Sequence, residues 1–231
     1  MASDRELMRI HVETLFTLDG HGRLLRVNEQ NGKPAPRFFL GRTAELNDWW
    51  FRHDLEPELT QSLEAVCRAD TSDTSARPPH GSAKYEALLS RAAPVERTWA
   101  GPAYRFPDRV SGEGDAVPIT NQNADVLRAY FQGWLDDPVL LQPMFGVVLS
   151  GDAVSLCASV RISAGAHEAG VETARDFRGR GYGSRAVAAW AAAVRGLDRI
   201  SLYSTSWENQ ASQGLARRLG LVQFGSDLHI T

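Results

Sequence analysis

The 231-residue sequence predicts a globular α/β (α+β) protein, and three patterns indicate this class. Residues 171–184 are typical of a strand that ends in a glycine-rich turn and is followed by a helix. Residues 144–149 and 154–162 are apolar runs separated by Ser150-Gly151-Asp152, as in two strands joined by a tight turn. Residues 1–69 mix strand-like and helix-like stretches, so we expect an additional N-terminal α+β segment.

The composition excludes several classes of protein. Hydrophobic residues make up 43% and charged residues 23%, which is ordinary for a chain that buries a core. The net charge of −3 disfavours a general nucleic-acid or anionic-membrane surface, and no apolar run is long enough for a transmembrane helix. Cys67 and Cys157 form no disulfide framework. Together with the absence of a signal-peptide-like apolar region, they predict a cytoplasmic protein.

The N-terminal segment is predicted element by element. Residues 9–29 indicate a hairpin around a turn rich in glycine, and residues 38–42 and 49–52 indicate a second strand pair. A helix is expected to begin at Glu56-Pro57-Glu58, since proline and acidic residues suit a first helical turn.

The middle of the chain predicts a boundary between domains. Small polar residues and a Pro-Pro pair over 70–82 predict a linker. Residues 83–114 predict a connecting helix and a strand that is interrupted at Gly101-Pro102. The remaining residues, 115–231, predict a second domain.

This second domain is expected to alternate strands and helices. Residues 116–119 predict a short strand, and Thr120 or Asn121 is expected to cap a helix through Trp134. After the strands already named, residues 167–173 and 200–205 predict two more strands. Residues 222–230 are expected to close the sheet.

The turn between residues 171 and 184 predicts a site for a pyrophosphate group. Gly179, Gly181 and Gly183 stand at alternate positions, so the backbone can curl and point successive N–H groups at one spot. The N-terminus of the following helix adds partial positive charge. The spacing fits neither a P-loop, which needs a Lys-Ser/Thr pair, nor a dinucleotide-binding G-x-G-x-x-G.

Two motifs carry a resemblance to a known family. Arg178-x-x-Gly181-x-Gly183 resembles the R/Q-x-x-G-x-G/A signature of the GNAT superfamily of acyl-CoA-dependent N-acetyltransferases. Residues 209–221 resemble the last motif of that superfamily, N-x-x-S/A-x-x-L-Y-x-x-L-G-F. The resemblance covers about residues 115–231. It implies a GNAT-like mixed, mostly antiparallel central sheet flanked by helices, with an acyl-CoA-binding catalytic domain at 115–231.

The resemblance also implies the substrates and the residues that bind them. Acetyl-CoA is expected as cosubstrate, an amine of a small molecule or peptide as acceptor, and no metal. The residues expected to contact acetyl-CoA are Val171, Glu172, Thr173, Arg178, Gly179, Arg180, Gly181, Tyr182, Gly183, Ser184, Asn209 and Ser212.

Candidate catalytic residues follow from the chemistry of an amine, which must be neutral before it attacks. Glu168 and Glu172 lie on the predicted strand and are candidate bases, directly or through water; the alternative for both is a solvated charge at a strand edge. Many relatives carry a tyrosine general acid where this chain has Ala216, so Tyr203, Ser204 or water is expected to take that role.

Two functions remain open from the sequence. The first is an acyl-CoA N-acyltransferase of the EC 2.3.1 class, most simply an acetyltransferase. The second is a catalytically weak or inactive acyl-CoA-binding module with a regulatory or scaffolding role. No nucleic-acid or membrane partner is expected, the oligomeric state is open and allows a homodimer, and the N-terminal segment has no assigned role.

Overall fold

The computed structural model describes residues 2–71, 73–75, 79–108, 110, 114–135 and 140–231. Their contacts form two compact units. The first unit comprises Met1–Tyr104, Ser204–Gln210 and Gln223–Thr231, and the second comprises Arg105–Tyr203 and Ala211–Val222.

The helices and strands follow one another in this order: α1 (Asp4–Leu15), β1 (Phe16–Leu18), β2 (Leu24–Val27), β3 (Phe38–Arg42), β4 (Asn47–Phe51), α2 (Pro57–Ala69), α3 (Ser82–Ser90), β5 (Thr98–Arg105), β6 (Val117–Pro118), β7 (Met144–Leu149), β8 (Asp152–Ile162), β9 (Ala166–Thr173), α4 (Tyr182–Gly196), β10 (Ile200–Ser204), α5 (Gln210–Arg218) and β11 (Val222–Ile230). Short 3₁₀ helices span Ala124–Leu127, Gln132–Trp134 and Arg175–Phe177.

The first unit is built on strands in the order β4-β3-β11-β5. Strand β3 is antiparallel to both β4 and β11. Phe38 and Leu40 of β3 pack in a buried cluster with residues of α2 and α3. Gly41 faces α1, where an added Cβ would lie 2.5 Å from Cγ of Met8, so glycine permits the close approach of helix and strand.

The second unit is built on strands in the order β10-β9-β8-β7-β6. The pairs β6–β7, β7–β8 and β8–β9 are antiparallel, whereas β9–β10 is parallel. Helix α4 covers one face, and the 3₁₀ helices of residues 124–134 pack on the other through Leu127 and Phe131. The predicted fold class, a mixed and mostly antiparallel sheet with flanking helices, is therefore confirmed.

The predicted hairpin over residues 9–29 is wrong in its first half, because residues 4–15 form α1. Ser3 and Glu6 form a capping box, in which each side chain binds the backbone N–H of the other residue. Buried residues then recur at helical spacing: Leu7, Met8, His11, Val12 and Leu15. The hairpin itself is the shorter pair β1–β2.

Three further predictions differ from the structure. The single helix expected from residue 120 to Trp134 is two separate 3₁₀ helices, preceded by a turn in which the Asn123 side chain accepts the Thr120 N–H (2.7 Å). Strand β5 runs through Gly101-Pro102 without interruption. Strand β11 lies between β3 and β5 and does not close a sheet.

Other elements appear where they were predicted. Strands β3 and β4 pair with each other, α2 begins at Pro57, and β7 and β8 meet at a turn in which Ser150 and Gly151 have positive φ. Part of the predicted 70–82 linker, residues 72 and 76–78, lies outside the described residues. The boundaries of the compact units differ from those of the predicted segments, whose independence stays a prediction.

Both cysteines are buried and free, and burial raises the pKa of the Cys67 thiol to about 12. Among the residues described, no helix is long and apolar enough to cross a membrane.

A buried polar pair connects α1 to β11 in the first unit. The Nε2–H of His11 donates to Oδ2 of Asp227 at 3.0 Å, and both side chains are fully buried. Burial lowers the pKa of the Arg42 guanidinium, and the charges of Asp70, Asp73 and Asp227 oppose this effect. The Asp227 carboxylate is therefore the acceptor for the buried His11 ring and one of three carboxylates that stabilise the Arg42 cation.

We expect Asp227→Ala to lower the free energy of unfolding by about 3–5 kcal/mol, since it leaves buried groups without their anionic partner. Urea unfolding followed by circular dichroism measures this change. Arg5→Ala is the matched control, because its ion pair with Asp48 is at the surface with the Arg5 side chain 52% exposed. Equal effects of the two substitutions would contradict the prediction.

Candidate active site

The two parallel strands of the second unit pair over only part of their length. The register between β9 and β10 contains Ala166 with Ile200, His167 with Ser201 and Glu168 with Leu202, and ends there within the described residues. Strand β9 continues to Thr173 and remains paired with β8. Residues 169–173 therefore present one backbone edge that β10 does not cover, and exposure increases from Gly170 onward.

The side chains of β9 divide between the two faces of the sheet. Val171 and Thr173 face α4, since a Cβ at Gly183 of α4 would lie 3.8 and 3.2 Å from their side chains. Glu168 and Glu172 alternate with these and face the 3₁₀ helices. The open edge is thus bordered by a helix on one face and by two carboxylates on the other.

The short 3₁₀ helix Arg175–Phe177 joins β9 to the glycine turn, whose backbone is left-handed at two of the three glycines. Gly179 and Gly181 have φ of 76° and 83°, and a Cβ at either would have no described heavy atom within 4 Å. Gly181 caps α4 without any side-chain hydrogen bond. The first hydrogen bond of the helix comes from the N–H of Arg185 (3.3 Å to the Gly181 carbonyl), so the amides before it have no partner within the helix.

Gly183 has a different role from the one predicted, because it lies inside the first turn of α4. Its Cβ would lie 3.2 Å from the Thr173 hydroxyl, so glycine lets the helix N-terminus approach the end of β9. That end is held by Ser155, whose hydroxyl donates to the Glu172 carbonyl (3.0 Å) and lies 2.8 Å from the Thr173 hydroxyl.

Ser184 adds an unsatisfied polar group to the helix N-terminus. Its side chain is 92% buried, from a relative exposure of 8%, and its hydroxyl has no hydrogen-bond partner among the described residues. A buried hydroxyl without a partner is costly, so Ser184 is a candidate to bind a ligand oxygen at the N-terminus of α4.

Arginines surround the turn. The Nε–H of Arg178 donates to the Thr173 carbonyl at 3.1 Å, which fixes its guanidinium beside the end of β9. Arg180 lies over the ring of Phe177, 5.7 Å from its centroid, and Arg185 pairs with Asp115. Positive charge is therefore held close to the free amides of the turn.

Glu168 is 2% exposed, so it is not a solvated charge at a strand edge. In the register, Arg161 of β8 lies directly opposite Glu168. A bulge at Val160 brings this about, because the extra residue places Arg161 on the face that carries Glu168. Glu168 therefore has a residue of opposite charge as its cross-strand neighbour.

Glu172 is exposed, and its Oε2 accepts the indole N–H of Trp134 at 2.8 Å. Trp134 ends the second 3₁₀ helix of the 124–134 segment. The two candidate bases therefore have different environments on the same face of β9.

Tyr203 lies one residue beyond the last β9–β10 register pair and is 3% exposed. Its hydroxyl is hydrogen-bonded to the Ser212 hydroxyl of α5. Ser201 of the same strand binds the Ala191 carbonyl of α4, so the alternation of β10 places Tyr203 on the α4 side. Ala216, where relatives carry tyrosine, is fully buried.

Beneath the open edge lies a buried polar chain. The Ser159 hydroxyl accepts the indole N–H of Trp190 (3.0 Å) and lies 2.8 Å from Nδ1 of His167. Burial, and then the nearby charge of Arg199, lowers the pKa of His167 and favours its neutral form.

The structure brings most of the predicted residues into one region of the second unit: Glu168, Val171, Glu172, Thr173, Arg178, Gly179, Arg180, Gly181, Tyr182, Gly183, Ser184, Tyr203 and Ser212. Asn209 belongs to the first unit and immediately precedes α5, the position of an N-cap. Sequence reasoning missed Ser155 and the partners of the two glutamates. The sequence pattern placed Trp134 on a predicted helix, but nothing in the sequence indicated its hydrogen bond to Glu172.

The region fits the acyl-CoA that the sequence implies. The free amides at the turn, the arginines and the buried Ser184 hydroxyl are donors for a pyrophosphate, and the open edge of β9 suits a peptide-like chain. Among the described residues, no group of three or more His, Cys, Asp or Glu is placed to hold a metal ion.

Comparisons with known proteins agree on the fold. A protein assigned to the GNAT family from Novosphingobium aromaticivorans is 16% identical with a TM-score of 0.50, covering 59% of this chain and 65% of its own. A GNAT-family acetyltransferase from Colwellia psychrerythraea is 14% identical with a TM-score of 0.51, covering 87% and 82%. No curated protein shows a significant sequence match.

The match that covers the site is to a family model. Residues 118–221 match the acetyltransferase (GNAT) family, and this range includes β9, the glycine turn, α4 and β10. The family match over residues 118–221 and the fold of these neighbours therefore agree with each other.

Proposed function

We propose that this protein is an N-acetyltransferase that transfers an acetyl group from acetyl-CoA to an amine. The observation that carries the proposal is the uncovered edge of β9, which is followed by a short 3₁₀ helix, the glycine turn and the N-terminus of α4. An extended peptide-like chain and an anionic group can be bound there in succession.

The residues that would hold acetyl-CoA follow from this geometry. The amides at the start of α4 and the Ser184 hydroxyl bind the pyrophosphate, with Arg178 and Arg180 beside them. The backbone of residues 169–173 binds the pantetheine arm, and one N–H of this edge polarises the acetyl carbonyl. Acetyl-CoA, when bound, supplies the activated acetyl group.

Glu168 is the base in this proposal. It takes the proton that the acceptor nitrogen must lose, directly or through a water. Its burial beside the last β9–β10 pair supports this role, since the edge opens at the next residue. Arg161 opposite would keep the carboxylate in place.

Tyr203 is the candidate proton donor to the leaving sulfur. Its hydroxyl is buried at the point where β10 leaves β9 and is hydrogen-bonded to Ser212, which fixes its orientation.

The acceptor in this proposal is an amine of a small molecule or a peptide. The cytoplasmic location and the homodimer stay predictions.

Calorimetric titration with acetyl-CoA tests the proposed pyrophosphate site at the glycine turn, called the cradle below. We expect the wild type to bind and Gly181→Asp to lose binding, because a carboxylate would repel the pyrophosphate. Gly181→Asn is the control: both side chains tolerate positive φ, so only the charge differs. No binding by the wild type, or equal binding by the two variants, would refute the proposed cradle.

Ser184→Ala separates ligand binding from folding. We expect acetyl-CoA affinity to fall about 2- to 10-fold, while stability is unchanged or higher, since the lost hydroxyl has no protein partner. Ser155→Ala should instead lower stability by about 1 kcal/mol, because that hydroxyl is hydrogen-bonded. Thermal unfolding and calorimetry measure both. A loss of stability in Ser184→Ala would contradict the prediction.

Glu168→Gln tests the base. We expect kcat to fall about 10²- to 10⁴-fold, with acetyl-CoA affinity retained. Release of CoA thiol is measured with a panel of primary amines at several pH values. Wild-type activity in the variant would exclude Glu168, and CoA binding without transfer by the wild type would instead indicate a binding module.

A further inference from the structure

The hydrogen bond between Trp134 and Glu172 joins two parts of the second unit that are far apart in sequence: the 124–134 segment and β9. The indole Nε1–H donates to Oε2 of Glu172 at 2.8 Å. Glu172 lies on the open part of β9, and Trp134 ends the segment that carries the two 3₁₀ helices. The bond therefore connects this segment to the part of β9 that β10 leaves uncovered.

The remainder of this segment is anchored elsewhere. Leu127 and Phe131 are buried in a cluster with Leu156 and Ala158 of β8. Leu156 and Ala158 lie opposite Glu172 and Gly170, so the cluster is on the face that carries both glutamates. Apolar packing thus fixes the segment on β8, and the Trp134–Glu172 hydrogen bond also attaches it to β9.

Glu168 lies on the same face, four residues before Glu172 along β9. Between them Gly170 has no side chain, and a Cβ there would lie 2.2 Å from Val160 of the bulge. The bond to Glu172 therefore holds the indole of Trp134 at the end of β9, on the face that also carries Glu168.

We propose that Glu172 is a positioning residue, which holds Trp134 as a wall of the acceptor site and does not take the proton of the amine. The acceptor site rests on the proposed function, whereas the hydrogen bond itself does not. Glu172 is already engaged through Oε2 and stands four residues from the point where the strands part.

The bond is tested without any acceptor by the indole N–H signals of the ¹⁵N-labelled full chain. The sequence has six tryptophans, and Trp134→Phe assigns the signal of residue 134 by its loss. We expect Glu172→Ala to shift this signal and to speed its exchange with solvent by about tenfold or more. Glu172→Gln should largely preserve it, because the amide oxygen still accepts. Glu13→Ala, an exposed carboxylate of α1, is the control.

An indole signal that Glu172→Ala leaves unchanged would overturn the positioning role. The same variants are then compared in acetyl transfer with an amine found in the panel. We expect Glu172→Ala and Trp134→Phe each to raise the acceptor KM about tenfold, and the double variant to be no worse than either. Glu172→Gln should raise the acceptor KM less than Glu172→Ala does, because its amide oxygen still accepts the indole N–H.

The contrary pattern assigns Glu172 as the base: Glu172→Gln would lose kcat about 10²-fold or more while Trp134→Phe kept it. Acetyl-CoA titration of every variant separates this outcome from failure of the proposed function. If the wild type does not bind acetyl-CoA, the proposed acetyltransferase function is refuted. The indole N–H signals then still show whether the Trp134–Glu172 hydrogen bond exists. Loss of binding in the Glu172 variants alone shows that Glu172 serves the cosubstrate, which also overturns the inference.

Discussion

The site depends on the point at which β9 and β10 part. Their parallel pairing ends at Glu168 and Leu202, while β9 stays paired with β8 as far as Thr173. One edge of an ordered strand is thereby left uncovered, and its backbone groups are available to a ligand that can pair like a strand. Only the short 3₁₀ helix Arg175–Phe177 separates this edge from the glycine turn, so the proposed sites for a peptide-like chain and for an anion follow each other along the chain.

The two faces of β9 have separate tasks. On the α4 face, Ser155 and Thr173 hold the end of the strand, and Gly183 allows the helix N-terminus to come close. These contacts fix where the free amides point. On the opposite face are the two carboxylates, and their surroundings distinguish them: Glu168 is buried opposite Arg161, and Glu172 is exposed and bound to Trp134. The contacts that hold the end of β9 and the two candidate bases thus lie on different faces of one strand.

Sequence reasoning succeeded where local signals decide the structure. The strand, glycine turn and helix from residue 171 onward depend on neighbouring residues, and so do the turn between β7 and β8 and the proline that begins α2. It failed where signals conflict. Over residues 4–15 the alternating apolar residues suited a hairpin, but the capping box of Ser3 and Glu6 favours a helix. Over 120–134 the helical spacing was real, yet side-chain hydrogen bonds of Asn123 produce a turn.

The sequence by itself determined the family motif, the glycine cradle and the residue types of the site, because each depends on spacing along one short stretch. Only the tertiary structure decided the state of each candidate. The bulge at Val160, which places Arg161 on the face of Glu168, arises from the pairing of two strands. The bond between Trp134 and Glu172 joins residues 38 positions apart. No periodicity records which side chains meet across a sheet, since that depends on register and on how distant segments pack.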